Sequence, residues 1–235
     1  PNGAGKTTVF NLLGGAQPVD GGRVVLAGDD VTRLPAAARA RRGLGRSFQD
    51  ARLFPGLTVD ETIALGLERW VQVGDPLSAA FHLLNAVGSE LAVDRRVDEL
   101  VELLGLGEVR SLFVRELSTG TRRVVDLACL LAFRPRVVLL DEPAAGIAQR
   151  EVEQLAPLVR RIRDETGASL VVVEHDLPFV RSIADRIVAM DQGRVLADGA
   201  PAAVLSAPEV VAAYIGVDER AASRSGPTIP AGQAP

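Results

Sequence analysis

The chain has 235 residues, 47% of them apolar and 24% charged, with a formal net charge of -4 at pH 7. That length accommodates one sizeable domain, or one domain with a smaller inserted lobe. The acidic balance argues against a nucleic-acid partner, whose phosphates require clustered basic side chains, and apolar runs such as Val137–Leu140 and Leu170–Val173 fall far short of the ~20 residues of a membrane-crossing helix.

The chain opens on "PNGAGKTT". Glycines in such a loop let successive backbone N–H groups converge on phosphate oxygens, and the helix read over Lys6–Leu13 adds its positive N-terminal end. Asn2, Gly3, Ala4, Gly5, Lys6, Thr7 and Thr8 are therefore candidates for binding a nucleoside triphosphate. Lys6 is expected to reach the β- and γ-phosphates, and the Thr7 hydroxyl to ligate Mg²⁺. The pattern G-x-x-x-x-G-K-[ST] has an opening glycine that would fall one position before Pro1, so the chain reads as cut inside its own motif.

Gly14 and Gly15 are suited to end that helix. "VDGGRVVLAGDDV" reads as a hairpin or edge strand, since turn residues flank a short β-branched run. From Val59 to about Glu116 the spacing of apolar residues is helical, with almost no strand signal, as expected of an all-helical insertion. Strands then alternate with helices: "RVVLLDEP", a helix from about Arg150 to Glu165, "ASLVVVEHD", a helix from Leu177 to Ala184, "RIVAM" and "GRVLADG". Unbroken apolar strands in such alternation imply a parallel sheet covered on both faces. The single cysteine, Cys129 in "LACLLAF", reads as a buried core thiol. The tail from 217 to 235 is small, polar and proline-rich, a composition expected of disorder.

Three further segments carry chemistry. The strand in "RVVLLDEP" delivers Asp141 and Glu142 to its C-terminal end, where ligands sit in an open α/β sheet. Asp141 can hold Mg²⁺ there, and Glu142 can polarise an attacking water as general base. His175 follows "LVVV" in the same way and is expected at the same edge, within reach of a γ-phosphate. Ser118, Thr119 and Gly120 open a long apolar helix whose free N–H groups could meet an anion or simply be capped by Ser118 or Thr119. Gln49 and His82 have no local support for a role, and His82 reads as structural.

Taken together and in this order, the segments resemble the nucleotide-binding domain of ABC transporters. "PNGAGKTT" resembles Walker A, Gln49 the Q-loop, "LSTGT" the signature motif, "VVLLDE" Walker B, "PAAGIA" the D-loop and "VVEHD" the H-loop, a likeness covering residues 1 to about 216. The resemblance implies a P-loop NTPase-type α/β fold: a core over 1–58 and 134–216, a helical subdomain over 59–133, and the tail 217–235. It also implies an ATPase using ATP and Mg²⁺, with Glu142, His175 and Gln49 catalytic and with Thr7, Gln49 and Asp141 around the metal. In a head-to-tail dimer with a second ATP-binding subunit, identical or related, Ser118 and Gly120 would face outwards and meet the partner's nucleotide.

"RSFQDARLFPGLTVDETI" and the run from "VVEHDLPFV" to "AAYIG" are most similar to ATPases of branched-chain amino acid uptake. The resemblance thus implies an importer subunit on the cytoplasmic face of the cell membrane, bound to permease subunits and served indirectly by a solute-binding protein. Thr119, Thr121 and Ala148 depart from the family pattern, which leaves a gating subunit deficient in hydrolysis as one alternative; an ABC ATPase of translation or DNA repair, which uses the same motifs, is another. Family members carry a strand and an adenine-stacking aromatic ahead of Walker A, so the sequence beginning at Pro1 is expected to bind nucleotide more weakly than a chain that includes them.

Overall fold

In the computed structural model of the chain, the described residues are 1, 3–47, 53–68, 91–147 and 149–213. Asn2, Gln49, His82, Ala148 and the tail 217–235 lie outside them. Packing divides the chain into two compact units, Pro1–Val9 with Ala184–Pro235 and Phe10–Ile183.

The larger unit is built on three parallel strands, β3 (Leu44–Arg46), β4 (Val137–Asp141) and β5 (Ser169–Val173), with β4 in the centre. Successive side chains of a strand point to opposite faces, and β4 is buried on both. Val138 and Leu140 enter a large core shared with α5 (Thr119–Ala132) and α6 (Gln149–Thr166), whereas Leu139 packs against Phe10 and Val173 on the other side. This two-faced burial is why "VVLL" reads as a continuous apolar run instead of an alternating one. The same core takes in Val59 and Ile63 of α3 (Val59–Glu68) and Leu100 of a helix that includes 91–104 (α4). A capping box starts α3: the Thr58 N–H donates to the Glu61 carboxylate at 2.8 Å, and the Glu61 N–H donates back to Thr58 Oγ1 at 3.3 Å.

The first helix, α1 (Lys6–Gly14), ends where the two glycines predict. Gly15 has φ +75°, and a Cβ there would lie 3.0 Å from the Ala36 nitrogen, so both conformation and space require glycine. The free carbonyls of the last turn are satisfied by Arg39 of α2 (Ala36–Ala40), which is fully buried. Its Nη1 donates to the Leu12 and Leu13 carbonyls at 2.5 and 2.7 Å, while Nε and Nη2 donate to Leu34 and Thr32 carbonyls. A cation at a helix C-terminus also complements the helix dipole. The short hairpin expected after α1 is present as β1 (Val25–Leu26) and β2 (Asp29–Asp30), antiparallel across Ala27 and Gly28.

In the smaller unit, β6 (Ile187–Asp191) and β7 (Arg194–Gly199) pair antiparallel, and α8 (Pro201–Leu205) contributes the buried Val204. Here the structure departs from the expected parallel alternation. Only Gln192 and Gly193, at φ +47° and +78°, join the strands. A parallel crossover takes a dozen residues or more, whereas two left-handed residues make a tight hairpin turn.

Candidate active site

Within the smaller unit, the opening loop folds back on itself. Gly3 and Gly5 take φ +77° and +94°, conformations that side-chain-bearing residues adopt only under strain. Ala4 between them is buried, and its carbonyl accepts the Gly193 N–H at 2.9 Å, which pins the loop to the β6–β7 turn. Lys6 Nζ donates to the Pro1 carbonyl at 2.7 Å, bringing the ammonium back over the loop. Thr7 and Thr8 are exposed on the first turn of α1.

Within the larger unit, β4 and β5 run in parallel register with Asp141 opposite Val173, so the residues that follow each strand emerge at one carboxyl edge. Asp141 is 6% exposed. Its N–H donates to Ser47 Oγ at 3.2 Å, and its Oδ2 lies 3.9 Å from Arg46 Nη2. Arg46 also reaches α1, donating from Nη2 to Asn11 Oδ1 at 2.7 Å and from Nη1 to the Phe10 carbonyl at 3.2 Å. One guanidinium thus connects α1 to Asp141.

Glu142 takes φ +46°, a left-handed conformation that costs a residue of its kind on the order of 1–3 kcal/mol. The strained residue reverses the chain: its N–H donates to the Val173 carbonyl at 2.9 Å, and its carbonyl accepts the Ala145 N–H at 3.0 Å. Across this turn stands Glu174, whose side chain is 1% exposed. His175 beside it is largely exposed and free to meet an incoming group. Asp176 then caps α7 (Leu177–Ile183) by accepting the Phe179 N–H at 2.9 Å.

At the start of α5, Ser118 is the N-cap, its Oγ accepting the Thr121 N–H at 3.1 Å. Ser118 is exposed, whereas Gly120, expected to face outwards with it, is buried. What covers it is Glu151 in the first turn of α6: Ser118 Oγ donates to Glu151 Oε1 at 2.9 Å, and a Cβ on Gly120 would fall 2.6 Å from the Glu151 carboxyl carbon. In this chain a carboxylate therefore occupies the helix N-terminus that the sequence left open to an anion.

The structure thus brings Asp141, Glu142 and His175 to one edge of the β3-β4-β5 sheet and sets Ser118 and Gly120 at the α5 terminus. Of the remaining candidates, Gly3, Ala4 and Gly5 form the loop of the smaller unit, Lys6, Thr7 and Thr8 open α1, and Asn2 and Gln49 lie outside the described residues. Sequence reasoning missed Arg46, Ser47, Glu151 and Glu174. A signal existed for Glu174, since a carboxylate directly after a buried apolar strand needs partners. None existed for Glu151, which reaches its neighbours only through the approach of α6 to α5.

A glycine loop opening a helix and paired carboxylates at the tip of a buried parallel strand are the features of a nucleotide-binding α/β protein. The ABC transporter family model matches residues 1–145. The chain is 36% identical over 216 residues to the high-affinity branched-chain amino acid transport ATP-binding protein BraF of Pseudomonas aeruginosa, covering 92% of this chain and 84% of that protein. It is 34% identical over 219 residues to LivG of Escherichia coli K12, of the same description, with the same coverage. It is also 34% identical over 220 residues to the lipopolysaccharide export system ATP-binding protein LptB of that strain, covering 94% of this chain and 85% of LptB. Among solved structures, an ATP-binding cassette of an ABC transporter in its ADP conformation superposes with a TM-score of 0.74 at 27% identity, over 92% of this chain and 85% of that one. The fold of cbiO1 from Clostridium perfringens matches equally well, at TM-score 0.74 and 24% identity, over 95% of this chain and 83% of that one. The chain belongs to the ABC transporter family, and it is an ATPase of that family.

Proposed function

We propose that the chain is the ATP-hydrolysing subunit of an importer for branched-chain amino acids or a similar small solute. The observation that carries this reading is the register of β4 against β5, which delivers Asp141 and Glu142 to the same edge as His175. In this reading the amides of residues 2–8 and Lys6 hold the triphosphate. Glu142 is the general base for the attacking water, and His175 contacts the γ-phosphate. By the resemblance, the residues that would hold Mg²⁺ are Thr7, Asp141 and Gln49, whose hydroxyl, carboxylate and amide oxygens are the hard donors that ion takes. Among the described residues no three His, Cys, Asp or Glu cluster into a closed cage. When bound, Mg²⁺ would neutralise charge developing on the phosphates.

Ser118 and the N-terminus of α5 are assigned to the nucleotide of a second ATP-binding subunit, in a head-to-tail pair whose closure on ATP and reopening on hydrolysis drive permease subunits. No helix among the described residues is long and apolar enough to cross a membrane. In this reading the chain is held at the cytoplasmic face through the permease. BraF and LivG, whose names state branched-chain amino acid transport, support that class of solute. LptB, nearly as similar, is named for export, so the direction of coupling is what an experiment must decide. The test is the full-length protein with its permease in proteoliposomes, fed ATP and labelled leucine. Import with ATP turnover is expected in the parent. Both should be lost in Glu142→Gln, by about 10²-fold or more, with nucleotide binding kept. Unchanged turnover in that variant excludes Glu142 as the base and favours a gating role.

A further inference from the structure

One side chain joins the segment after β4 to the segment after β5. Beyond Val173, Glu174 turns its carboxylate inward to 1% exposure. One oxygen, Oε1, accepts the Ala144 N–H at 2.8 Å, and the other, Oε2, accepts the His175 N–H at 3.0 Å. The His175 ring nitrogen Nδ1 lies 3.7 Å from Oε2. Ala144 belongs to the turn that Glu142 opens at φ +46° and Ala145 closes with its N–H on the Glu142 carbonyl. The carboxylate therefore bonds the middle of the turn carrying Glu142 and the backbone of His175 at once.

We propose that Glu174 is a positioning residue for ATP hydrolysis, its buried carboxylate fixing the Glu142 turn and His175 in one relation so that both are presented together to the nucleotide. The inference rests on the reading of Glu142 as general base. A left-handed glutamate persists only where its surroundings over-determine it. Two restraints hold this one from the β5 side: the Val173 carbonyl on the Glu142 N–H, and Glu174 on the Ala144 N–H. A carboxylate can accept both amides in charge-assisted bonds. Glutamine cannot, because one of its two positions becomes an NH₂ donor facing another donor. Aspartate keeps the charge but is one methylene too short to reach both. Neither residue change alters the side chains of residues 1–8, so the chemical step is expected to suffer far more than nucleotide affinity.

The test uses the full-length protein, with functional sites counted by equilibrium binding of a fluorescent ATP analogue and turnover expressed per site. Glu174→Gln is expected to lower kcat about tenfold or more with KM for ATP within about twofold of the parent, the pattern of a displaced catalytic group. Glu174→Asp, with its buried anion intact, is expected to lose kcat severalfold with the same unchanged KM. A merely structural residue would lower the number of binding sites and leave kcat per site at the parental value. Parental kcat per site in Glu174→Gln overturns the proposal; should that variant not fold, parental kcat per site in Glu174→Asp does so. Glu142→Gln measured alongside separates the two ideas. If it is inactive while the Glu174 variants turn over normally, only the positioning role fails. If Glu142→Gln itself turns over normally, the reading of the base fails and the positioning role with it.

Discussion

At the scale of single residues, burial sets the chemistry of two side chains on α5. Desolvation pushes the Asp126 carboxyl up to about 6, against a weaker opposing pull from Arg123. The same desolvation, with Asp126 adding to it, pushes the Cys129 thiol up to about 12. Between the unfolded value near 4 and the folded value near 6, native Asp126 binds more proton than the unfolded chain does. Stability therefore falls as pH rises through that window, by up to about 3 kcal/mol. Asp126→Asn removes the charge and keeps the shape. It is expected to stabilise the protein by about 1–2 kcal/mol at pH 7.5, part of the gain being offset by the amide it buries. At pH 4, where native Asp126 carries its proton, the variant's advantage is expected to be gone. Denaturant unfolding at the two pH values measures the difference, and an equal effect at both would mean that the carboxyl is not desolvated. Cys129 read in the sequence as a buried core thiol because an apolar run surrounds it, and the structure places it against the core but only partly buried. Asp126 was not legible in the sequence, since its burial depends on the helices that pack around α5.

At the scale of elements, existence and type followed from periodicity, whereas pairings depended on loop length and on contacts distant in sequence. The apolar runs of β4 and β5 announced a sheet covered on both faces, and β4 fulfils it with Leu139 on one side and Val138 and Leu140 on the other. The three-residue β3 has too few residues to show a period, and the β6–β7 hairpin was hidden because its strands read like their parallel neighbours. The start of α5 carries the sharpest consequence. Its N-cap geometry was foreseen at Ser118, but not the carboxylate of Glu151 against Ser118 and Gly120. Two anions cannot share one helix N-terminus without strong repulsion. A phosphate arriving at Ser118 from a partner's nucleotide must therefore displace Glu151. Glu151→Gln keeps the size of the side chain and removes its charge. It is expected to lower the ATP concentration for half-maximal turnover severalfold with kcat little changed, the ATP dependence of full-length protein being the measurement. The shift should shrink at high salt if repulsion is its cause.

At the scale of the whole molecule, the order of motifs along the chain was legible because each is a short local pattern, yet the proposed site is completed by a second subunit. That arrangement has a consequence that no single-chain mechanism shares. If the protein pairs with its own copy head to tail, each nucleotide meets Lys6 of one chain and Ser118 of the other. A chain with Lys6→Ala has an impaired phosphate loop but an intact α5 terminus. A chain with Ser118→Arg has an intact loop, and places a bulky side chain where its partner's phosphate would sit. Each variant alone builds only damaged sites. A mixed pair builds one site damaged on both sides and one made of the two intact halves. Random mixing makes about half the pairs mixed, so with independent sites the equimolar mixture is expected to recover about a quarter of parental turnover, from near zero in either variant alone. The measurement is steady-state hydrolysis on co-expressed full-length chains, with dimers confirmed by light scattering. Turnover that stays at the level of the separate variants, in a mixture shown to contain mixed dimers, would mean that Ser118 does not serve the nucleotide of a neighbouring copy.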